Sequence, residues 1–150
     1  MEKSFRNRPT KYQVFEDAII HWAEKLNVDF QEIKRDNRYK CHLVTEWYTD
    51  GSIMLKYNTR RLAWWSYEMI MGGVFHEIGH IVNNLPYKTE KQQILSEYKA
   101  ERYCLRMIQK YYPSLFPILI KQSKKSLSNR RFQNDYPIHY KAFSRIKEYQ

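Results

Sequence analysis

A chain of 150 residues, 43% hydrophobic and 16% aromatic, can bury one sizeable core and falls within the usual range of a single domain, here residues 1–150. A charged fraction of 28% and a mean hydropathy of -0.77 do not make it a disordered chain, because Trp, Tyr, Phe, Leu and Ile recur along nearly its whole length. The net charge of +10 concentrates polyanions and acidic proteins near the surface without identifying a partner.

The opening stretch MEKSFRNRPTKYQVFEDAII is charged from the start and lacks the apolar run of a signal peptide, and no later segment approaches a membrane span. The expectation is a cytoplasmic protein with no membrane contact. From Tyr12 to Leu26, Phe15, Ala18, Ile19, Trp22 and Ala23 recur at spacings of three and four, which predicts a helix with one buried face. Between Asn27 and Asn58 the pattern changes. Tyr39–Val44 and Gly51–Tyr57 read as strands separated by the Asp50-Gly51 turn, giving a short sheet with at least one hairpin.

Arg60 to Asn83 contains no proline and carries long aromatic and aliphatic side chains almost throughout, so it reads as a largely buried helix in which Gly72-Gly73 allows close packing or a kink. Asn83-Asn84-Leu85-Pro86 ends it. Thr89 with Gln92 three residues later resembles a capping box that opens the next helix, from about Glu90 to Tyr112. Pro113 and Pro117 punctuate the chain before a short helix around Leu115 to Lys125. The basic stretch from Lys121 to Arg131 reads as a solvated loop or helix face, so nucleic-acid contact is not the favoured partner. A final helix is expected from Ile138 to Tyr149, with Tyr140, Phe143, Ile146 and Tyr149 along one side. The fold class is α+β, mostly helical, with a short antiparallel or mixed sheet. Cys41 and Cys104 have no Cys-x-x-Cys spacing and are expected as reduced, structural thiols.

The chemistry is concentrated in His76-Glu77-Ile78-Gly79-His80, a His-Glu-x-x-His sequence inside the strongest helical segment. Residues four apart on a helix share a face at about 6 Å, so both imidazoles can reach one zinc ion at roughly 2.0–2.1 Å. Glu77 then lies to one side of the metal, placed to take a proton from an attacking water as general base. A catalytic zinc needs a third protein ligand and one open position. His21, His42 and His139 lie far from the pair, and Pro86 stands six residues beyond His80 where a longer motif would carry another histidine. In the following helix Glu97 and Glu101 share the spacing of the apolar stripe Ile94, Tyr98, Leu105 and Ile108, which puts two carboxylates on a face expected to be buried.

This arrangement resembles the gluzincin metallopeptidases, in which a His-Glu-x-x-His helix is followed by a helix supplying a glutamate ligand, and most closely the compact ImmA/IrrE family. Three stretches carry the resemblance. Gly51–Asn58 resembles the family's strand before the active-site helix, Phe75–His80 its zinc motif, and Glu97–Cys104 its Glu-x-x-Ala-Asn-x-Phe-Ala segment. The match implies Glu97 as the third zinc ligand. Glu101 departs from the family's usual asparagine and is read as an acceptor that orients a zinc-bound imidazole. The resemblance covers about residues 50 to 110, and only the zinc motif in it is highly specific.

Hydrolysis at such a site passes through an oxyanion that needs a second electrophile, for which His139, Tyr140 and Tyr136 are the candidates. Tyr140 also reads as core packing, and His139 as a helix-start residue after Pro137. The function expected is a zinc-dependent metalloendopeptidase acting on a protein or peptide substrate, and the resemblance adds a regulatory-protein partner. The alternative is a regulatory protein that binds a repressor or nucleic acid and keeps a mainly structural zinc site.

Overall fold

The computed structural model of the protein describes residues 17, 20–22, 24–32, 43–58 and 65–150. Within them the chain is mostly helical with one small mixed sheet, and it divides into two compact units, Met1–Met71 and Gly72–Gln150.

In the first unit, residues 17, 20–22 and 24–26 are helical, and the rest of the helix expected from Tyr12 to Leu26 lies outside the described residues. Asn27 ends it with a φ of 54°, the left-handed conformation that asparagine tolerates better than most residues. Three strands follow: β1 (Asp29–Glu32), β2 (Leu43–Trp47) and β3 (Ile53–Tyr57). β3 is central, parallel to β1 and antiparallel to β2, and accordingly has the most buried strand, with Leu55, Lys56 and Tyr57 all buried. The β2–β3 hairpin turns at Asp50-Gly51, where Gly51 takes a φ of 85° and Asp50 Oδ1 accepts from the Ser52 amide at 2.9 Å. β1 has no counterpart in the sequence reading. The strand expected from Tyr39 to Val44 in fact continues to Trp47, its first residues, 39–42, lying outside the described ones.

Helix α1 (Tyr67–Asn83) carries the His-Glu-x-x-His segment. It begins at Tyr67 rather than Arg60, because Ser66 turns its hydroxyl to accept from the Met69 amide at 3.3 Å, the contact by which serine starts helices; residues 59–64 lie outside the described ones. Its end is set by Asn84, at a φ of 44°, whose amide bonds to the His80 carbonyl at 2.9 Å.

In the second unit α1 is followed by α2 (Glu90–Tyr111), α3 (Phe116–Leu127), α4 (Arg130–Asp135), α5 (Pro137–Phe143) and a 3-10 turn at Lys147–Tyr149. The capping box at the start of α2 is formed as expected: Thr89 Oγ1 accepts from the Gln92 amide, and the Gln92 side chain accepts from the Thr89 amide. Phe75, Val74, Cys104, Ile108 and Ile146 are fully buried in this unit. Cys104 donates to the Gly72 carbonyl at 3.2 Å, and burial, reinforced by the nearby Glu101 charge, pushes its thiol well above the usual range. It is an inert, protonated core residue. The single helix expected from Ile138 to Tyr149 is instead broken after Phe143, where the Ser144 hydroxyl bonds back to the Tyr140 carbonyl and the chain turns at Arg145 and Ile146 before the 3-10 turn. Among the described residues no helix is long and apolar enough to cross a membrane.

Gly79 sets the spacing of α1 and α2. A Cβ placed there would meet the Ala100 carbonyl oxygen at 2.7 Å and its Cα at 2.8 Å, so the helices touch backbone to backbone between the two histidines. Alanine at this position gains about 1 kcal/mol in helix propensity, but the obstructing atoms are backbone and cannot swing aside. Overpacking of this kind costs roughly 1–3 kcal/mol. Gly79→Ala is therefore expected to lower the thermal unfolding midpoint of the metal-free protein; an unchanged or raised midpoint would show that the helices separate freely.

Candidate metal centre

The close approach at Gly79 explains which side chains meet. His76 and His80 flank Gly79 on α1, while Glu97 and Glu101 flank Ala100 on α2, so the contact of the two small residues brings both pairs together. Glu97 and Glu101 are buried, at 3% and 7% exposure, as the apolar stripe predicted. Carboxylates are rarely this deep unless fully partnered.

The partners are all present. Glu97 Oε2 lies 2.7 Å from His76 Nε2, 3.3 Å from His80 Nε2 and 3.2 Å from His139 Nε2, while its other oxygen accepts from the Tyr87 hydroxyl at 2.6 Å. Three imidazole nitrogens thus converge on one carboxylate oxygen. The second nitrogen of His76, Nδ1, meets Glu101 Oε2 at 2.6 Å, and Glu101 Oε1 accepts from the Tyr149 hydroxyl. The Nδ1 of His80 lies 3.0 Å from Ser96 Oγ. The donor atoms of His76, Glu77 and His80 lie within 4.8 Å of one another, as do those of His76, Glu97 and His139.

The charges follow from this geometry. Burial alone would strip the proton from His76, but hydrogen bonds to Glu101 and Glu97 at its two nitrogens overcome that and raise its pKa well above the usual imidazole value. Burial likewise opposes ionisation of Glu97, yet the bonds from His139, His76 and His80 hold its carboxyl far below the normal carboxylate range. The Tyr87 phenol is pushed up, first by burial and then by its bond to Glu97, and so remains a donor. Three carboxyl groups, those of Glu77, Glu97 and Glu101, thus stand with three imidazoles, a set of oxygen and nitrogen donors that suits a divalent cation.

The donor set fits such an ion. Two ligands at 2.0–2.1 Å from a tetrahedral metal stand about 3.3 Å apart, close to the 3.3 and 3.2 Å that separate Glu97 Oε2 from His80 and His139, while the 2.7 Å to His76 is a hydrogen-bond distance that would lengthen around an ion. The residues present are therefore able to hold a metal ion.

The structure brings together His76, Glu77, His80, Glu97, Glu101 and His139. It does not bring in Tyr140, which follows His139 on α5 and is turned from it by about 100°; among the described residues its side chain makes no hydrogen bond or ring contact with the cluster. Tyr136 stands edge-on to the His139 ring at 5.9 Å and is 47% exposed. Sequence reasoning missed Tyr87, Ser96 and Tyr149. Ser96 had one available signal, its place beside Glu97 on α2; Tyr149 was legible only as part of the apolar side of the last helix, and Tyr87 lies outside any periodic stripe. Of the other histidines, His21 is exposed and stands against the Trp22 ring, and His42 lies outside the described residues.

Comparison with protein-family models, curated proteins and solved structures finds no match.

Proposed function

We propose that the protein is a zinc-dependent metallopeptidase of the gluzincin type, similar to the ImmA/IrrE family, with His76, His80 and Glu97 as the zinc ligands. The observation that carries this reading is the meeting of His76 Nε2 and His80 Nε2 at Glu97 Oε2, with Glu77 beside the histidine pair. Zinc, when bound, would polarise a peptide carbonyl and acidify water.

The chain's own residues divide the remaining work. Glu101 fixes the His76 ring by accepting from Nδ1, and Tyr149 in turn fixes Glu101. Tyr87 occupies Glu97 Oε1 and so presents Oε2 to the histidines. Ser96 meets His80 at Nδ1 and so orients its ring with Nε2 toward Glu97. Glu77, adjacent to the first histidine yet absent from the shared Glu97 contact, is the group left to take a proton from water and pass it to the leaving amine. Among the three side chains considered for the oxyanion, His139 is the one in the cluster, and its Nε2 is the donor assigned to that role.

A second reading has one observation in its favour: His139 offers a fourth protein donor, as a closed structural zinc site requires. Its expected partner would be a repressor or nucleic acid drawn by the net charge of +10. The two separate on a peptide mixture. Zinc-loaded protein is expected to cleave peptides or a protein substrate, to stop when a chelator removes the metal and to resume on adding zinc; binding without cleavage under any zinc loading would favour the structural reading.

A further inference from the structure

We infer that His139 is a fourth donor to the metal of the proposed zinc site, so that the site rests closed and opens when this imidazole swings away. The inference depends on the zinc reading above and adds a gate to it. Its first support is equivalence of position: His139 Nε2 stands 3.2 Å from Glu97 Oε2, and His80 Nε2 stands 3.3 Å from the same atom. The donor atoms of His76, Glu97 and His139 lie within 4.8 Å of one another, close enough to share one ion. The rings agree with this, since His139 lies within 28° of parallel to His76 at 6.1 Å, with both Nε2 atoms directed at one oxygen.

The second support is an asymmetry in how the donors are held. His76 is fixed through Nδ1 by Glu101, His80 by Ser96 and Glu97 by Tyr87. Among the described residues no hydrogen-bond partner meets His139 Nδ1. Such outer partners are what normally lock a ligating histidine in place. His139 is also the outermost of the three, its side chain 36% exposed against 10% and 12% for His76 and His80.

The helix itself packs along α2, so the side chain of His139, and not α5, is the part with room to move. α5 has seven residues, one of them buried, Ala142, and no side-chain cap at its start. The ion pair of Lys141 with Glu90 ties it to the start of α2 between two side chains that are at least half exposed, where such pairs hold weakly. Phe143 stands edge-on to the rings of both His76 and His139. With His139 as a ligand the site would have no open position, and movement of this imidazole would supply one; on taking up a proton at Nε2 it would be the donor assigned above.

The test counts imidazoles. X-ray absorption at the zinc edge is expected to give three imidazole ligands in the wild-type protein and two in His139→Ala. Zinc affinity of that variant, measured by competition with a chromophoric chelator, should fall by at least about 10-fold, the lower bound set by losses of merely outer partners. Acetohydroxamate, a small zinc-binding probe, should bind the variant at least about 10-fold more tightly, since a closed resting state taxes any ligand that needs the open one. Two imidazoles in the wild type, or unchanged zinc and hydroxamate affinities in His139→Ala, would overturn the gate while leaving the three-donor site standing. Failure of the wild-type protein to bind zinc would overturn both.

Discussion

Glu77→Gln is expected to keep the fold and the zinc content of the wild type while lowering peptide hydrolysis by at least roughly 10²- to 10⁴-fold, the usual contribution of a general base. Glutamine preserves the shape of the side chain and nearly the same helix propensity. It loses the ability to accept and later return a proton. Because the proposed donors are His76, His80 and Glu97, replacing Glu77 should leave the donor set complete. Turnover and zinc content measured on the same sample make the comparison. A variant that retained wild-type turnover would remove Glu77 from the mechanism, and one that lost its zinc would make Glu77 a ligand. If instead a biological effect on a repressor or nucleic acid persisted unchanged, the binding reading would hold, and a nucleic-acid partner would show affinity falling steeply with salt.

The parts of this account that the sequence carried are those written in local patterns. The α2 start was legible because Thr89 and Gln92 form a capping box from neighbours three apart, and the burial of Glu97 and Glu101 was legible because helical spacing puts them on the apolar stripe. The histidine pair was legible for the same reason. β1 was not, since Asp29-Phe30-Gln31-Glu32 is short, largely exposed and without alternation, and it becomes a strand by pairing with β3. The break after Phe143 was hidden because Ile146 continues the helical spacing of Tyr140 and Phe143 while in fact lying in the turn that follows. What the sequence could not show was convergence. Tyr149 reaches Glu101 across 48 positions and Tyr87 reaches Glu97 across ten, and nothing in local spacing encodes either bond. His139 stood in the sequence as a lone histidine after Pro137; only the folded chain brings it to the same oxygen as His80. Gly79, unremarked within the motif, proves to be the contact that sets the helices close enough for the ligands to meet.

Glu97 and Glu101 are expected to differ sharply in their hold on zinc. Both are buried and both meet His76, but Glu97 directs Oε2 to three imidazole Nε2 atoms, whereas Glu101 meets His76 at Nδ1, the nitrogen facing away from that oxygen. Removing Glu97 takes away a ligand together with the negative charge nearest the ion. Removing Glu101 leaves the donor set complete and releases one ring, a loss of roughly 10- to 100-fold in affinity. Equilibrium zinc binding to the wild-type protein, Glu97→Ala and Glu101→Ala, read by competition with a chelator of known affinity, therefore addresses the centre itself. The account predicts one zinc per chain bound tightly by the wild type, weakened binding in Glu101→Ala and no tight binding in Glu97→Ala; a wild type that binds no zinc, or a Glu97→Ala variant that binds it as tightly as the wild type, would contradict it.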